Sequence, residues 1–538
     1  MSEKNPAVIS DWDYGDRVGG GDSTASLGAT DETSPIAAGT VVFENITLIS
    51  GQQDAQDTAN NYTIDLKEVC TNVTIYEDIS NYHLTGRATI VDGLDLVKYQ
   101  KIVGQETLTI KASIPDENGN IFGKDEDDPY MNTMDHTFRV YAISDYNRVS
   151  DTTATYVLHF TDPLAYEFHQ TKVNKVLRGK YSDILANALY EDSEMKKYLG
   201  QSRSGIEETE PDNMQIVAPN WNINRLIQFC VDNAEPKSNK SWKNSMFFYQ
   251  TLFRTNEQDN LYKFRSFGQM CKSELLHQET FKFFGNHQLD KSDASTYEER
   301  RRNIIDYYRP VKGNTLKGVT SGAYAGKMVT YDPVRKIHED TTYSISDVFD
   351  RGDKESHVLK RPMIRADVEI PLYRLEESLS EGVPQIETMF FDKRPDQGFD
   401  DITLYRVNMT NAYSDEEKLI DANDSSKVQQ QIGLEYRDTG HLERRALLSI
   451  LEQNTLRVKL PIRFDMHCGT TVNLNLPSPE VKKGEHTPDE LESDIYLIGK
   501  ITYELSPLNQ YGEISLQCSK ESFGVDIETY RPSKEEEM

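Results

Sequence analysis

The chain has 538 residues, of which 37% are hydrophobic and 27% charged, a length that suits roughly three or four domains. Lys and Arg number 59 against 88 Asp and Glu, a formal net charge of −29, which excludes a protein that grips nucleic-acid backbone through basic clusters. No apolar run approaches the ~18 residues of a membrane-spanning helix, and the opening MSEKNPAVISDWDYGD has no signal-peptide core.

Residues 1–40 are rich in Ser, Gly, Asp and Thr and bury too little to order alone. They read as a flexible leader, or as an arm that orders on a partner with Trp12 and Tyr14 as anchors. Residues 41–161 read as strands and turns. Val73 and Ile75 alternate with Thr74, Ala88 and Ile90 with Arg87 and Thr89, and Leu108, Ile110 and Ala112 with Thr109 and Lys111. A period of two puts one set on a core and the other in water, so the three runs read as consecutive half-buried strands of a meander. Phe138, Val140 and Ala142, then Tyr156, Leu158 and Phe160, repeat the pattern.

At Asp162-Pro163 the period changes, and residues 162–300 read as an α+β insert. Ile184, Leu185, Ala188 and Leu189 form a helical stripe with Ser182 or Asp183 as its cap. Ile223, Leu226, Ile227, Cys230, Val231 and Ala234 follow helical spacing, capped by Asn220 or Asn222. SMFFYQTLFRTNEQDNLYKFRSF reads as a hairpin turning at Asn256 to Asn260. Residues 301–525 return to β with insertions. An amphipathic helix starts at His441, with Leu442, Leu448 and Leu451 among its apolar positions. Strands follow through Leu456, Val458, Leu460 and Ile462, then Val472, Leu474 and Leu476. An acidic, Pro-bearing loop, SPEVKKGEHTPDELES, precedes DIYLIGKITYEL and EISLQCSKE. Residues 526–538 read as a solvated tail.

Several segments carry residue types that elsewhere serve chemistry. Asp116, Asn118 and Asn120 fall at positions 1, 3 and 5 of a calcium loop, but Ile121 replaces its Gly and Asp127 its final Glu, so the segment reads as an exposed loop. Gly322, Gly326 and Lys327 miss the spacing of a phosphate loop, and Gly for tight packing or a bent strand is expected there. Arg300, Arg301 and Arg302 read as a solvated charged face rather than an anion site. The five cysteines, Cys70, Cys230, Cys271, Cys468 and Cys518, show no CxxC spacing and read as buried free thiols. His136, His159, His338, His441 and His467 are scattered and read as ordinary histidines. No catalytic, cofactor-binding or metal-binding residue is assigned.

Four blocks in order carry a resemblance. They are TNVTIYEDISNYHLTGRATIVDGLDLV with IVGQETLTIKA, AEPKSNKSWKNSMFFYQTLFRTNEQDNLYKFRSFGQM, GAYAGKMVTYDPVRK, and NTLRVKLPIRFDMHCGTTVNLNLPSP with IYLIGKITYEL. Over about residues 41–525 the chain resembles the baseplate hub subunits of contractile-tailed bacteriophages, with the hub part of secretion-system spike proteins as a distant relative. The resemblance implies two tail-tube-like antiparallel β domains with an α+β domain inserted. It implies a homotrimer whose six β units form a pseudo-sixfold ring between a sixfold tail tube and a threefold central spike. It implies a non-enzymatic virion protein of the tail baseplate, assembled in the host bacterial cytoplasm, with spike, tube-initiator, tube and baseplate-wedge proteins as partners. It implies no cofactor, no membrane, and DNA passing through the lumen without sequence-specific contact. The chain departs from shorter relatives in its leader and in its loops around Asp125–Asp128 and Lys482–Glu492. Thr-, Asn- and Asp-rich strand faces are then expected to line an acidic, slippery channel. A tail-associated cell-wall hydrolase and a receptor-binding fibre are the rival readings. The first lacks GxSxG, HExxH or a catalytic Cys block, and the second lacks the internal repeats of a fibre.

Overall fold

The computed structural model describes residues 37–49, 63–99, 102–115, 133–190, 205–210, 214–238, 242–253, 261–272, 280–283, 297–312, 325–332, 337–344, 360–361, 364–365, 407–409, 434–482, 485–489 and 492–520. Trp12, Tyr14, the Asp116–Asp127 segment, the Asn256–Asn260 turn, Gly322 and residues 526–538 lie outside them.

The first part of the chain holds β1 (Val42–Ile49), β2 (Thr63–Asp65), β3 (Cys70–Asp78), β4 (Thr85–Asp92), α1 (Leu96–Tyr99), β5 (Thr107–Ser113), β6 (Thr133–Arg148) and β7 (Ala154–Thr161). The middle holds α2 (Leu164–Gln170), β8 (Lys172–Gly179), α3 (Tyr181–Tyr190), β9 (Thr209–Glu210), β10 (Met214–Asn222), α4 (Ile223–Asn233), β11 (Glu235–Pro236), β12 (Met246–Gln250), β13 (Tyr262–Ser266), α5 (Phe267–Lys272), β14 (Thr280–Lys282) and α6 (Tyr297–Arg301). The last part holds β15 (Asp306–Lys312), β16 (Ala325–Asp332), β17 (Ile337–Ser344), β18 (Lys360–Arg361), β19 (Ile364–Arg365), β20 (Val407–Met409), α7 (Leu434–Gln453), β21 (Asn454–Pro461), β22 (Thr471–Asn475), β23 (Pro477–Lys482), β24 (Glu485–Pro488), β25 (Asp494–Ser506) and β26 (Tyr511–Ser519).

The fold is β-rich, and its centre is one 13-stranded, largely antiparallel sheet. The strand order is β15-β21-β26-β25-β3-β4-β7-β6-β5-β1-β2, with β22 on β25 and β14 parallel to β22. Strands from the two ends of the chain meet at β25 and β3, where Lys500 faces Asp78 and Leu505 faces Val73. The path also returns on itself. Thr40 bridges Tyr511, and Gly512 N–H donates to the Gly39 carbonyl (2.8 Å), so the chain leading into β1 lies beside the start of β26.

Two hydrophobic cores result. The larger draws on strands from both ends of the chain, with α7 contributing Leu442, Ala446, Leu447, Ile450 and Leu451. The smaller gathers α2, α3, α4, β8 and β10 around Phe168, Tyr181, Leu226 and Ile227. The strand β12 is the wall between them. Met246 and Phe248 face the smaller core while Phe247 and Tyr249 face the larger, so period two runs between two apolar neighbours and the strand reads as one apolar run.

Most expected elements are present, with corrections. The expected meander holds only for β3 and β4. Their next strand, β5, pairs with β1 and β6, and β7 and β6 stand between β4 and β5. Periodicity marks a strand but not its neighbour. Thr74, expected in water, is buried (3% exposed) between the longer side chains of Glu504 and Arg87, its directly opposed neighbours on the same face. Ala142 is only half-buried, since β6 bulges between Val140 and Ala142 against β7.

Asn222 caps α4 as expected, accepting from Arg225 N–H (2.9 Å). In α3, Ser182 is no cap: the helix starts at Tyr181, and Ser182 exchanges hydrogen bonds with Thr209 instead. Arg301 is buried (5% exposed) at the end of α6, with Arg300 and Arg302 half-buried, so the solvated face expected there is not found. Gly326 lies in β16, where an added Cβ would sit 3.4 Å from Leu442, a strand packed on α7. The expected acidic loop is partly a hairpin, β23 paired with β24.

All five cysteines are free and buried. Burial pushes the thiols of Cys70 and Cys230 up to about 12, and Cys518 and Cys468 well above the ordinary thiol range. Thiolates react and thiols do not. The folded chain is therefore expected to show no fast-reacting thiol toward Ellman's reagent, and all five after unfolding.

Candidate functional site

Three features stand where separate parts of the chain meet: a polar wall, a buried carboxylate and a cleft.

The wall follows from register. Directly opposed residues form a row, Thr107-Arg139-Thr161-Thr85-Tyr76-Thr502-Ser515-Lys459, which crosses eight strands of the sheet from β5 to β21. One face therefore continues unbroken across the β3–β25 joint. It is hydroxyl-rich but not acidic. Arg87, Lys111, Arg139, Arg457, Lys459 and Lys500 share it with Asp65, Asp78, Asp135, Asp306, Glu504 and Glu513. Lys111 pairs with Asp135 (2.6 Å), Lys500 with Asp78 (3.5 Å), and Lys459 with Glu513 and Glu504. The acidic strand face expected from the sequence is corrected here. Cross-strand ion pairing has balanced its charge, and the acidic excess of the chain lies elsewhere.

The carboxylate is Glu77, fully buried on the core side of β3. Its two oxygens accept from Cys468 N–H (2.6 Å) and Leu252 N–H (3.0 Å), and Tyr503 Oη stands 3.4 Å away. One side chain thus ties β3 to the segment after β12 and to the turn before β22. Gly469, at φ +75°, makes that turn possible, since an added Cβ would meet the Tyr249 hydroxyl. Burial pushes the Glu77 carboxyl up to about 7, against the pull of the backbone donors of Cys468 and Leu252. The Tyr503 hydroxyl stands between Glu77 and the Met466 carbonyl, to which it donates (2.9 Å).

The cleft, about 650 Å³, lies between the loop after β3, the β6–β7 strands, α2 and the start of α4. Tyr82, His83, Tyr141, Tyr166, His169 and Asn224 line it. Under it Asp162 accepts from Gln250 Nε2 (2.6 Å) and Leu164 N–H (2.9 Å), with His136 Nε2 at 3.3 Å. Burial alone would raise the Asp162 carboxyl, but these donors hold it below its ordinary value. From Asp162 a chain of polar contacts reaches the cleft. It runs through Tyr262 Oη, His83 Nδ1 (3.0 Å from that hydroxyl), Asn224 Oδ1 and His169. Burial pushes His83 down to about 4, so its ring is neutral at pH 7.

Asp162→Ala should remove the acceptor for Gln250, whose Oε1 holds Leu84 N–H (2.9 Å). A loss of about 2–4 kcal/mol is expected in a urea titration, with early proteolysis between β7 and α2.

Glu77, Asp162, His83 and Asn224 were not singled out in the sequence. Of the histidines that were, His136 sits beside Asp162 and His159 beside Ser144 Oγ (2.7 Å), His467 is buried next to Cys468 in the turn before β22, and His338 and His441 belong to β17 and α7. Among the described residues, no three His, Cys, Asp or Glu side chains gather as a metal set, and no helix is long and apolar enough to cross a membrane.

No protein-family model matches the sequence, and no curated protein matches it. Among solved structures the chain is similar to a tail protein of Neisseria meningitidis (TM-score 0.41, 8% identity, 89% of this chain and 97% of that one). It is similar to the 43 kDa tail protein of prophage MuSo2 from Shewanella oneidensis (TM-score 0.42, 8% identity, 89% and 98%). It is also similar to a type VI secretion component of E. coli described as resembling bacteriophage T4 tail proteins (TM-score 0.35, 8% identity, 86% and 76%).

Proposed function

We propose that this chain is a structural hub subunit of a contractile phage tail baseplate, with three copies closing into a ring. The observation that carries the proposal is the β3–β25 pairing, which joins strands from both ends of the chain into one sheet with one continuous polar face. Two β units stand side by side in one chain, 41–161 and 301–525, with the 162–300 insert against them. Three such chains supply six units, a number that stacks on a sixfold tube, while the ring keeps the threefold symmetry of a central spike. The sequence resemblance supports the same reading. The near-balanced, hydroxyl-rich face is then the wall of the bore. It holds passing DNA by neither a basic grip nor strong repulsion.

Ring closure needs free edges. Among the described residues, β15 ends the sheet on one side and β2 on the other. Just after β2, Leu66 N–H donates to the Ile46 carbonyl (2.7 Å), so by alternation the N–H of the exposed Thr63 points away from β1. Thr63→Pro removes that outward donor and no ladder bond to β1. The variant is expected to fold with an unchanged urea midpoint, give single chains by mass photometry and form no ring in negative stain. A Thr63→Pro chain that still closes a ring contradicts the edge assignment.

The hydrolase reading finds no carboxylate and no thiol among the described residues of the cleft lining, where glycoside hydrolysis uses two opposed carboxyl groups. A zymogram on peptidoglycan tests it, and clearing by the purified chain would favour it.

A further inference from the structure

The cleft beside His83 is unlike the rest of the molecule in charge. Over a quarter of the chain is Asp, Glu, Lys or Arg, yet among the described residues none of these lines the cleft. Three tyrosines, Tyr82, Tyr141 and Tyr166, supply aromatic surface, and Tyr141 is half-exposed (48%). Around them stand neutral groups that both donate and accept: Asn81, Thr85, Gln170 and Asn224, with the His169 imidazole. Several are held in place. Asn224 is fixed between His83 Nε2 (3.4 Å) and His169 Nε2 (3.1 Å), and the Tyr82 hydroxyl is bonded to Gln228. An ordered, partly apolar cavity of a few hundred Å³ with a few convergent polar groups has the character of a small-molecule site.

We propose that this cleft binds one or two units of an uncharged saccharide. A sugar ring presents C–H groups on its faces and hydroxyls around its rim. Tyrosine rings suit the first, and amide, hydroxyl and imidazole groups suit the second. A phosphate- or carboxylate-bearing ligand would lack a cation to meet it, and a lipid tail would strand the polar rim unpaired. The volume suits a mono- or disaccharide. The cleft meets the polar row at Thr85 and Thr161, and its test, sugar binding by the chain, does not depend on ring formation.

Saturation-transfer NMR and calorimetry on the full chain test it, with glucose, N-acetylglucosamine and maltose as neutral probes, glucuronate as a charged one, and adenosine as a flat aromatic one. A neutral sugar is expected to bind with Kd of about 1 mM, shifting the His169 ring resonances, and Tyr166→Ala is expected to weaken it about tenfold with an unchanged unfolding midpoint. Should Tyr166→Ala fail to fold, the exposed Gln170→Ala gives the same comparison. No binding by any neutral sugar, binding untouched by either variant, or preference for glucuronate or adenosine would overturn the proposal.

Discussion

Glu77→Ala is expected to cost about 3–5 kcal/mol in urea denaturation, a large loss for a single side chain. The variant strands two buried donors, Cys468 N–H and Leu252 N–H, and opens a void in the larger core. It also releases the carboxylate that holds β3, the β12 exit and the turn before β22 together, so unfolding should begin there. Glu77→Gln is milder. Its carbonyl can accept from Cys468, but its amide then faces Leu252 N–H, and a loss of about 1–3 kcal/mol is expected. The pH dependence separates the carboxyl from its shape. The folded value, about 7, lies above the ordinary 4.5, so the native state holds a proton that the unfolded chain releases. The stabilising contribution of this proton is complete below pH about 4.5 and is lost as pH rises to about 7, of order 3 kcal/mol in all. Wild type minus Glu77→Gln should show this downward slope, and a flat difference between pH 4.5 and 7.5 would rule it out.

Thr502→Pro is expected to be at least as damaging, at about 3 kcal/mol or more. Thr502 faces Ser515 on one side and Tyr76 on the other, so β25 is a central strand at this point. Proline removes a ladder donor there, and no edge lets it escape. The loss falls on the joint itself. Limited proteolysis should release fragments from the two ends of the chain as separate pieces, and no ring should form at any concentration. Thr63→Pro removes one backbone donor too, but at an edge, and is expected to spare the subunit. The contrast between the two prolines distinguishes a joint within the chain from a joint between chains.

Local structure was legible wherever one side of an element decides its pattern. Leu456, Val458 and Leu460 in β21, and Ile223, Leu226, Ile227 and Cys230 in α4, are buried as their periods require. The apolar run of β12 was legible as a strand, but not as a wall between two cores, because nothing in MFFYQ says what lies on each side. Pairing was least legible. Val73, Ile75, Leu108 and Ile110 announce strands, yet two later strands separate β4 from β5, and β3 finds its partner more than 400 residues away in β25. Glu77 did leave a trace. It continues the buried set of Val73 and Ile75 at the same parity, an acid on the core face of a strand. The cleft left none, because its histidines and tyrosines come from segments far apart in the chain.

The most direct measurement is a cryo-EM reconstruction of the purified chain, read at the boundary between copies. The account predicts a threefold ring of six β units, with β15 of one copy hydrogen-bonded to the β1–β2 edge of the next and the Thr107-to-Lys459 row facing the bore. A closed single chain, or a ring whose copies meet through the insert while both sheet edges stay in solvent, would contradict it.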